Sequence, residues 1–145
     1  MTSPLDSWLF WALLSAVFAA MTAIFAKIGI ENIDSDFATL IRTAVIIVVL
    51  TGIVLALGKF QPLDTISGKT WLFLVLSGLA TAASWLAYFR ALKLGKAAEV
   101  APIDKLSVVL VAIFAVIFLG ERPPAKDWVG IAMIAAGAVL IALKR

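Results

Sequence analysis

Five long apolar runs, separated by short polar stretches, organise the chain. They cover residues of about 8–29, 37–58, 71–91, 98–119 and 127–143. A helix rises about 1.5 Å per residue, so about 20 residues cross the hydrocarbon layer of a bilayer. Each run therefore predicts a membrane-spanning helix. The stretches between them, ENIDSD, GKFQPLDTISGK, LGKAAE and GERPPAKD, carry the Gly, Pro and Asp of turns. No low-complexity tract or second domain interrupts the series. The pattern predicts an all-α integral membrane protein, with residues 1–145 forming one unit of five transmembrane helices.

Composition strengthens this reading. Hydrophobic residues make up 63% of the chain and charged residues 14%, against about 45–50% and about 25% in soluble domains. A globule of this length has no interior large enough for so much apolar surface, so the solvent is lipid. The start MTSPLDSW has no Lys or Arg, and an apolar run of 19 residues follows from Trp8 to Ala26. A cleaved signal has a basic start and a shorter apolar core, so the first span is expected to be retained. The chain contains neither cysteine nor histidine. Disulfides, thiolate chemistry, imidazole bases and the usual zinc, copper and haem ligand sets are thereby excluded, and no metal or cofactor is expected.

Charge adds a direction. With five spans the two ends of the chain lie on opposite sides; the N-terminal one is called side A and the C-terminal one side B. Side A carries Lys59, Lys69, Arg122 and Lys126, and side B carries Lys27, Arg42, Arg90, Lys93, Lys96, Lys105, Lys144 and Arg145. Counting all of them places side B in the cytoplasm. Removing Lys27, Arg42, Arg90 and Lys105, which lie at or inside span ends, leaves four cations on each side. Insertion both ways up is then feasible. The net charge of +3 reflects these flanking cations and does not point to nucleic acid. Trp8, Trp11, Trp71 and Trp128 all fall at side-A ends, where indole rings favour the headgroup layer. The ionisable residues embedded in spans fall toward side B.

Those embedded residues are the candidate chemistry. Without Arg42 the second span shrinks to 16 residues, 43–58, so this arginine lies inside the hydrocarbon edge. Lys27, Arg42, Arg90 and Lys105 have long stems that can carry their charge out to the interface, or they can serve a binding site. Asp104 is too short for that. It lies about 6 Å below the boundary of a fourth span beginning at Val100, and it needs a cation, a helix N-terminus or water. Arg42 and Arg90 are the expected partners. Asp104 and Lys105 point about 100° apart on a helix, so a tight pair between them is not expected. Pro102 fits either the first turn of the fourth helix, which is the simpler reading, or a local break beside Asp104. Trp85 and Tyr88, three residues apart, share one helical face and would line either a pocket or a helix–helix interface. Small-residue spacings at Gly78/Ala82, Gly130/Gly137 and Ala132/Ala136 predict close helix packing. No enzyme constellation is present, because Ser77, Ser84 and Ser107 have no basic partner in register and no phosphate-binding loop occurs.

The stretch Tyr88–Pro123, YFRALKLGKAAEVAPIDKLSVVLVAIFAVIFLGERP, resembles the EamA domain of the drug/metabolite transporter superfamily. It shows that family's aromatic-then-AL helix end, short loop, proline early in a span, and LGE close. The last span, WVGIAMIAAGAVLI, and the pairing of Lys27-Ile-Gly with Arg42 resemble it as well. The resemblance implies a multi-pass inner-membrane transporter of small molecules working by alternating access. It also implies two units per working transporter, usually as inverted halves of one chain, so a single unit would form a homodimer, in an antiparallel arrangement if it inserts both ways up.

Arg42, Arg90, Tyr88 and Trp85 are then the expected substrate or gate residues. Asp104, Glu99, Lys105 and Lys27 are expected to provide charge balance or proton coupling. The excess of embedded cations favours a substrate with an anionic group, such as an amino acid or other metabolite. The small multidrug exporters of the same superfamily use a carboxylate in the first span, which Trp8–Ala26 lacks. A cation exporter of that type and a non-transporting membrane scaffold are the rival expectations.

Overall fold

The computed structural model describes residues 7–143, so Lys144, Arg145 and the first six residues lie outside the described part. The described residues form helices α1 (Trp8–Gly29), α2 (Ser35–Ala56), α3 (Gly68–Leu94), α4 (Ala97–Asp104), α5 (Ser107–Phe114) and α6 (Ala125–Ala142). Five stretches among them are long and apolar enough to cross a membrane, the fourth being Ala97–Leu119. The five expected spans are all present, and their ends move by three residues or fewer. The chain divides into two compact units, Phe25–Lys93 and Met1–Ile24 together with Leu94–Arg145.

The first unit holds the last turn of α1, all of α2 and most of α3. Asp34 starts α2 by accepting the backbone N–H of Asp36 at 2.9 Å and of Phe37 at 3.0 Å, which satisfies two donors that a helix start leaves open. Gly58 ends it in the left-handed region, with φ of 62°. The Lys59 N–H reaches the Val54 carbonyl and the Gly58 N–H reaches that of Leu55, closing a Schellman motif. Ser67 starts α3, its hydroxyl accepting the Thr70 N–H at 3.1 Å. The buried residues Ala26, Ile30, Ser35, Thr39, Phe89 and Leu92 lie at the side-B ends of these elements. The middles of α2 and α3 stay open, with Val45, Val48, Leu72 and Phe73 exposed. Such surface is stable in hydrocarbon because each helix satisfies its own backbone.

In the second unit, α6 packs against α4 and α5. The fourth span is not one regular helix. Pro102 is the sixth residue of α4, past the first turn, so the simpler reading of it is corrected. A proline at this depth has no N–H to offer and its ring crowds the carbonyl four residues back. The chain turns at Lys105 and Leu106 through bonds of i→i−3 type. Lys105 N–H donates to Pro102, Leu106 to Ile103, Val108 to Lys105 and Val109 to Leu106, at 3.0–3.1 Å. The span ends in a π-helical turn, Ala115–Leu119. Gly120 there has a φ of 68°, and the Glu121 N–H returns to the Ala115 carbonyl.

Close packing through the glycines is not found. A Cβ added at Gly78, Gly130 or Gly137 would meet nothing within 4 Å. Alanines take the buried positions instead, Ala112 and Ala138 among them.

Candidate functional site

The first unit brings most of the candidate residues together where α3 ends against the α1–α2 connection. Arg42 lies eight residues into α2 and is half-buried. Its guanidinium carbon sits 4.0 Å from the centroid of the Trp85 ring and 5.5 Å from that of Phe89. Residues four apart on α3 form this platform, because they stack one above the other on a helix. Phe89 thus joins Trp85 beneath the guanidinium, and Tyr88, half-buried, lies near enough to act on Arg42 electrostatically. Aromatic faces attract a cation but carry no net charge to neutralise it. Among the described residues, no carboxylate pairs with Arg42.

Arg90 is differently placed. Its Nε donates to Asp36 Oδ1 at 3.0 Å and its Nη2 to Oδ2 at 2.5 Å, a two-bond fork that fits the planar guanidinium. This pair joins the start of α2 to the last turns of α3. Two lysines tie the same end. Lys27 Nζ donates to the Leu92 carbonyl at 2.6 Å, and Lys93 Nζ donates to the Ile33 carbonyl. Helices α1, α2 and α3 are thus cross-linked at side B by three cationic side chains.

A groove of about 430 Å³ runs between α2 and α3. Trp85 and Leu86 line it from α3 and Thr39, Leu40 and Thr43 from α2, with Asp36 and Gly78 also among the lining residues. The threonine hydroxyls are turned onto their own helices. Thr39 donates to the Ser35 carbonyl, Thr43 to that of Thr39 and Thr81 to that of Ser77. The groove is accordingly apolar along its length, with a charge at one end. Trp85 belongs both to its wall and to the Arg42 stack.

The remaining candidates lie in the second unit. Asp104 Oδ2 is 3.3 Å from Lys105 Nζ, so the expectation against a pair between these neighbours is overturned. The expectation assumed regular helix at 100° per residue; the turn at Lys105 ends that regularity and lets the lysine fold back. Glu99 is half-buried in the first turn of α4. The carboxylate taken by Arg90 is Asp36, which sequence reasoning missed because it reads as part of the polar connection ENIDSD. The available signal was its place six residues ahead of Arg42, in the first turn of the same helix.

Comparison with known proteins follows this geometry. Residues 6–143 match the model of the EamA-like transporter family. A Sinorhizobium sp protein, "Uncharacterized transporter in cobO 3'region", is 66% identical over 138 residues, covering 95% of this chain and 98% of that protein. "Uncharacterized transporter YxxF" of Bacillus subtilis (strain 168) is 27% identical over 146 residues, and the chain spans 45% of its length. No solved structure matches the chain significantly. With the family model matching nearly the whole chain and five apolar helices in place, the chain is a multi-pass membrane protein and belongs to the EamA-like transporter family.

Proposed function

We propose that the protein moves a small molecule with a carboxylate or comparable anionic group across the inner membrane by alternating access, with Arg42 as the substrate contact. The observation that carries this reading is the Arg42 guanidinium, laid on Trp85 and Phe89 with no carboxylate paired to it among the described residues. A charge at this depth requires an anion or water. With its flat faces stacked, the fork of N–H groups at its edge remains suited to a planar anion. The neighbouring groove offers an apolar wall for the rest of the substrate.

Arg90 then acts as a gate rather than a substrate ligand, because Asp36 already occupies its fork. Opening the Arg90–Asp36 pair would release α2 from α3 at side B. Asp104 and Lys105, placed where the fourth span turns, are the candidates for coupling transport to protons.

The working transporter is a dimer. The Bacillus relative has room for a second unit beside the matched one, while the Sinorhizobium relative is matched over almost its entire length. Both facts support one unit as the repeating module. The balance of four cations on each side outside the spans supports an antiparallel pair.

The experiment is a thermostability screen of purified protein against amino acids, organic anions and lipophilic cations. An anion or amino acid that stabilises the wild type but not Arg42→Ala supports the assignment. Stabilisation by lipophilic cations alone would favour a cation exporter, and no response to any class would favour a scaffold.

A further inference from the structure

Residues 57–67 join α2 to α3, and both helices are long and apolar enough to cross the membrane. The connection therefore lies at the side-A surface of the bilayer. It carries two large apolar side chains, Phe60 and Leu63, which are 65% and 60% exposed. We infer that this connection is an interfacial anchor, with Phe60 and Leu63 inserted among the phospholipid headgroups of the side-A leaflet.

Entering the headgroup layer means giving up water, which is costly for polar groups without a partner. Much of the backbone here is already satisfied. The Gly58 and Lys59 N–H groups are held by carbonyls of α2. Pro62 has no N–H, and its carbonyl accepts the Thr65 N–H at 3.2 Å and the Thr65 hydroxyl at 2.7 Å. The Ile66 N–H returns to the Leu63 carbonyl at 3.4 Å, completing a short 3₁₀ turn, Leu63–Thr65. Adjacent residues of such a turn point about 120° apart, so Leu63 can face lipid while Asp64 faces water.

The surroundings favour lipid as the partner. Large exposed apolar side chains, especially beside polar ones, mark contact surfaces, and these continue the exposed apolar surface of Ile53, Leu55 and Leu57 at the end of α2. Trp71, exposed in the first turn of α3, sets the headgroup level on the same unit. Lys59 and Lys69 bracket the connection around a single carboxylate, Asp64. Neither lysine forms an ion pair among the described residues, and a net positive stretch suits phosphate headgroups.

The chain has no cysteine, so the test places single spin labels through Phe60→Cys, Leu63→Cys and Asp64→Cys in nanodiscs of phosphatidylglycerol and phosphatidylcholine. Collisions with oxygen, which concentrates in lipid, and with a water-soluble nickel chelate report what each label touches. Labels at positions 60 and 63 should meet oxygen several-fold more than the label at position 64, and the chelate several-fold less. Adding Phe60→Ser should move the label at position 63 outward, because the ring no longer holds the connection down. Chelate access at positions 60 and 63 equal to that at position 64 would put the connection in water and overturn the anchor. Shielding from both reagents would mean a protein cover, such as a second copy of the chain, and would overturn the lipid assignment. An unmoved label at position 63 in Phe60→Ser would overturn the role given to Phe60.

Discussion

Arg90 and Asp36, 54 positions apart in sequence, form a two-bond ion pair that fastens the end of α3 to the start of α2. Asp36 also lines the groove that holds Trp85, so the latch stands at the mouth of the cavity it would control. The chain has no cysteine, which makes a single introduced thiol a clean reporter. In Thr43→Cys, whose side chain lines the groove, a membrane-impermeant maleimide applied from side B should react slowly. Adding Asp36→Asn should speed that reaction several-fold. Reversing the pair, Asp36→Arg with Arg90→Asp, should slow it again. Equal rates in all three proteins would remove the latch.

The Arg42 stack makes a sharper demand than charge alone. Lysine would keep the charge but lose the planar fork and the face that lies on Trp85. Arg42→Lys should therefore weaken substrate binding nearly as much as Arg42→Ala, by about tenfold or more, as expected for the loss of a charge-assisted hydrogen bond. Trp85→Phe should retain most of the affinity and Trp85→Leu should not, since only the former keeps an aromatic face. Calorimetric titration with the ligand found by the thermostability screen measures all four. Full affinity in Arg42→Lys would show that the site reads charge without geometry.

The architecture was legible because lipid imposes one rule along the chain, long apolar runs set between polar turns. All five spans follow from it. The site was legible only in part. Arg42, Arg90 and Trp85 stand out as polar or aromatic residues at unusual depth, yet their partners depend on which helix faces which. Phe89 is invisible as a partner because a phenylalanine in a membrane helix needs no explanation. Asp36 is hidden by its place beside a turn. The Asp104–Lys105 pair escaped for another reason: helical spacing was applied across a point where the helix is broken.

That break gives a prediction of its own. Pro102→Ala restores an N–H that can reach the Ala98 carbonyl and removes the ring that crowds it. The i→i−3 bonds at Lys105 and Leu106 should then give way to regular helix. Hydrogen exchange at these two amides should slow in the variant. If the turn is a hinge, the transport rate should fall while ligand affinity stays close to wild type. Unchanged exchange would mean that the turn is set by packing rather than by the proline.

The glycines separate into two groups with opposite expectations. Gly58 and Gly120 have positive φ, which costs an L-residue roughly 1–2 kcal/mol. Alanine at either should lower the melting temperature of the purified protein. Gly130 and Gly137 lie within α6 with nothing within 4 Å of an added Cβ, and alanine is the better helix former by about 1 kcal/mol. Gly130→Ala and Gly137→Ala should therefore leave the melting temperature unchanged or raise it. Cross-linking of these two variants adds a second readout, since a drop in cross-linked dimer without loss of fold would place α6 in the contact of the proposed dimer.

Asp104 offers the most direct test of coupling. Its carboxylate faces Lys105 at 3.3 Å, at the point where the fourth span turns. Protonating it would dissolve the pair and leave the ammonium to find another partner, a local change at the spot least restrained by regular helix. Asn keeps the shape and can still accept a hydrogen bond from Lys105, but it cannot take up a proton. Asp104→Asn should therefore assemble normally in proteoliposomes while its uptake loses dependence on pH. Identical profiles in wild type and Asp104→Asn would exclude this residue from the proton path and leave the pair a structural tie.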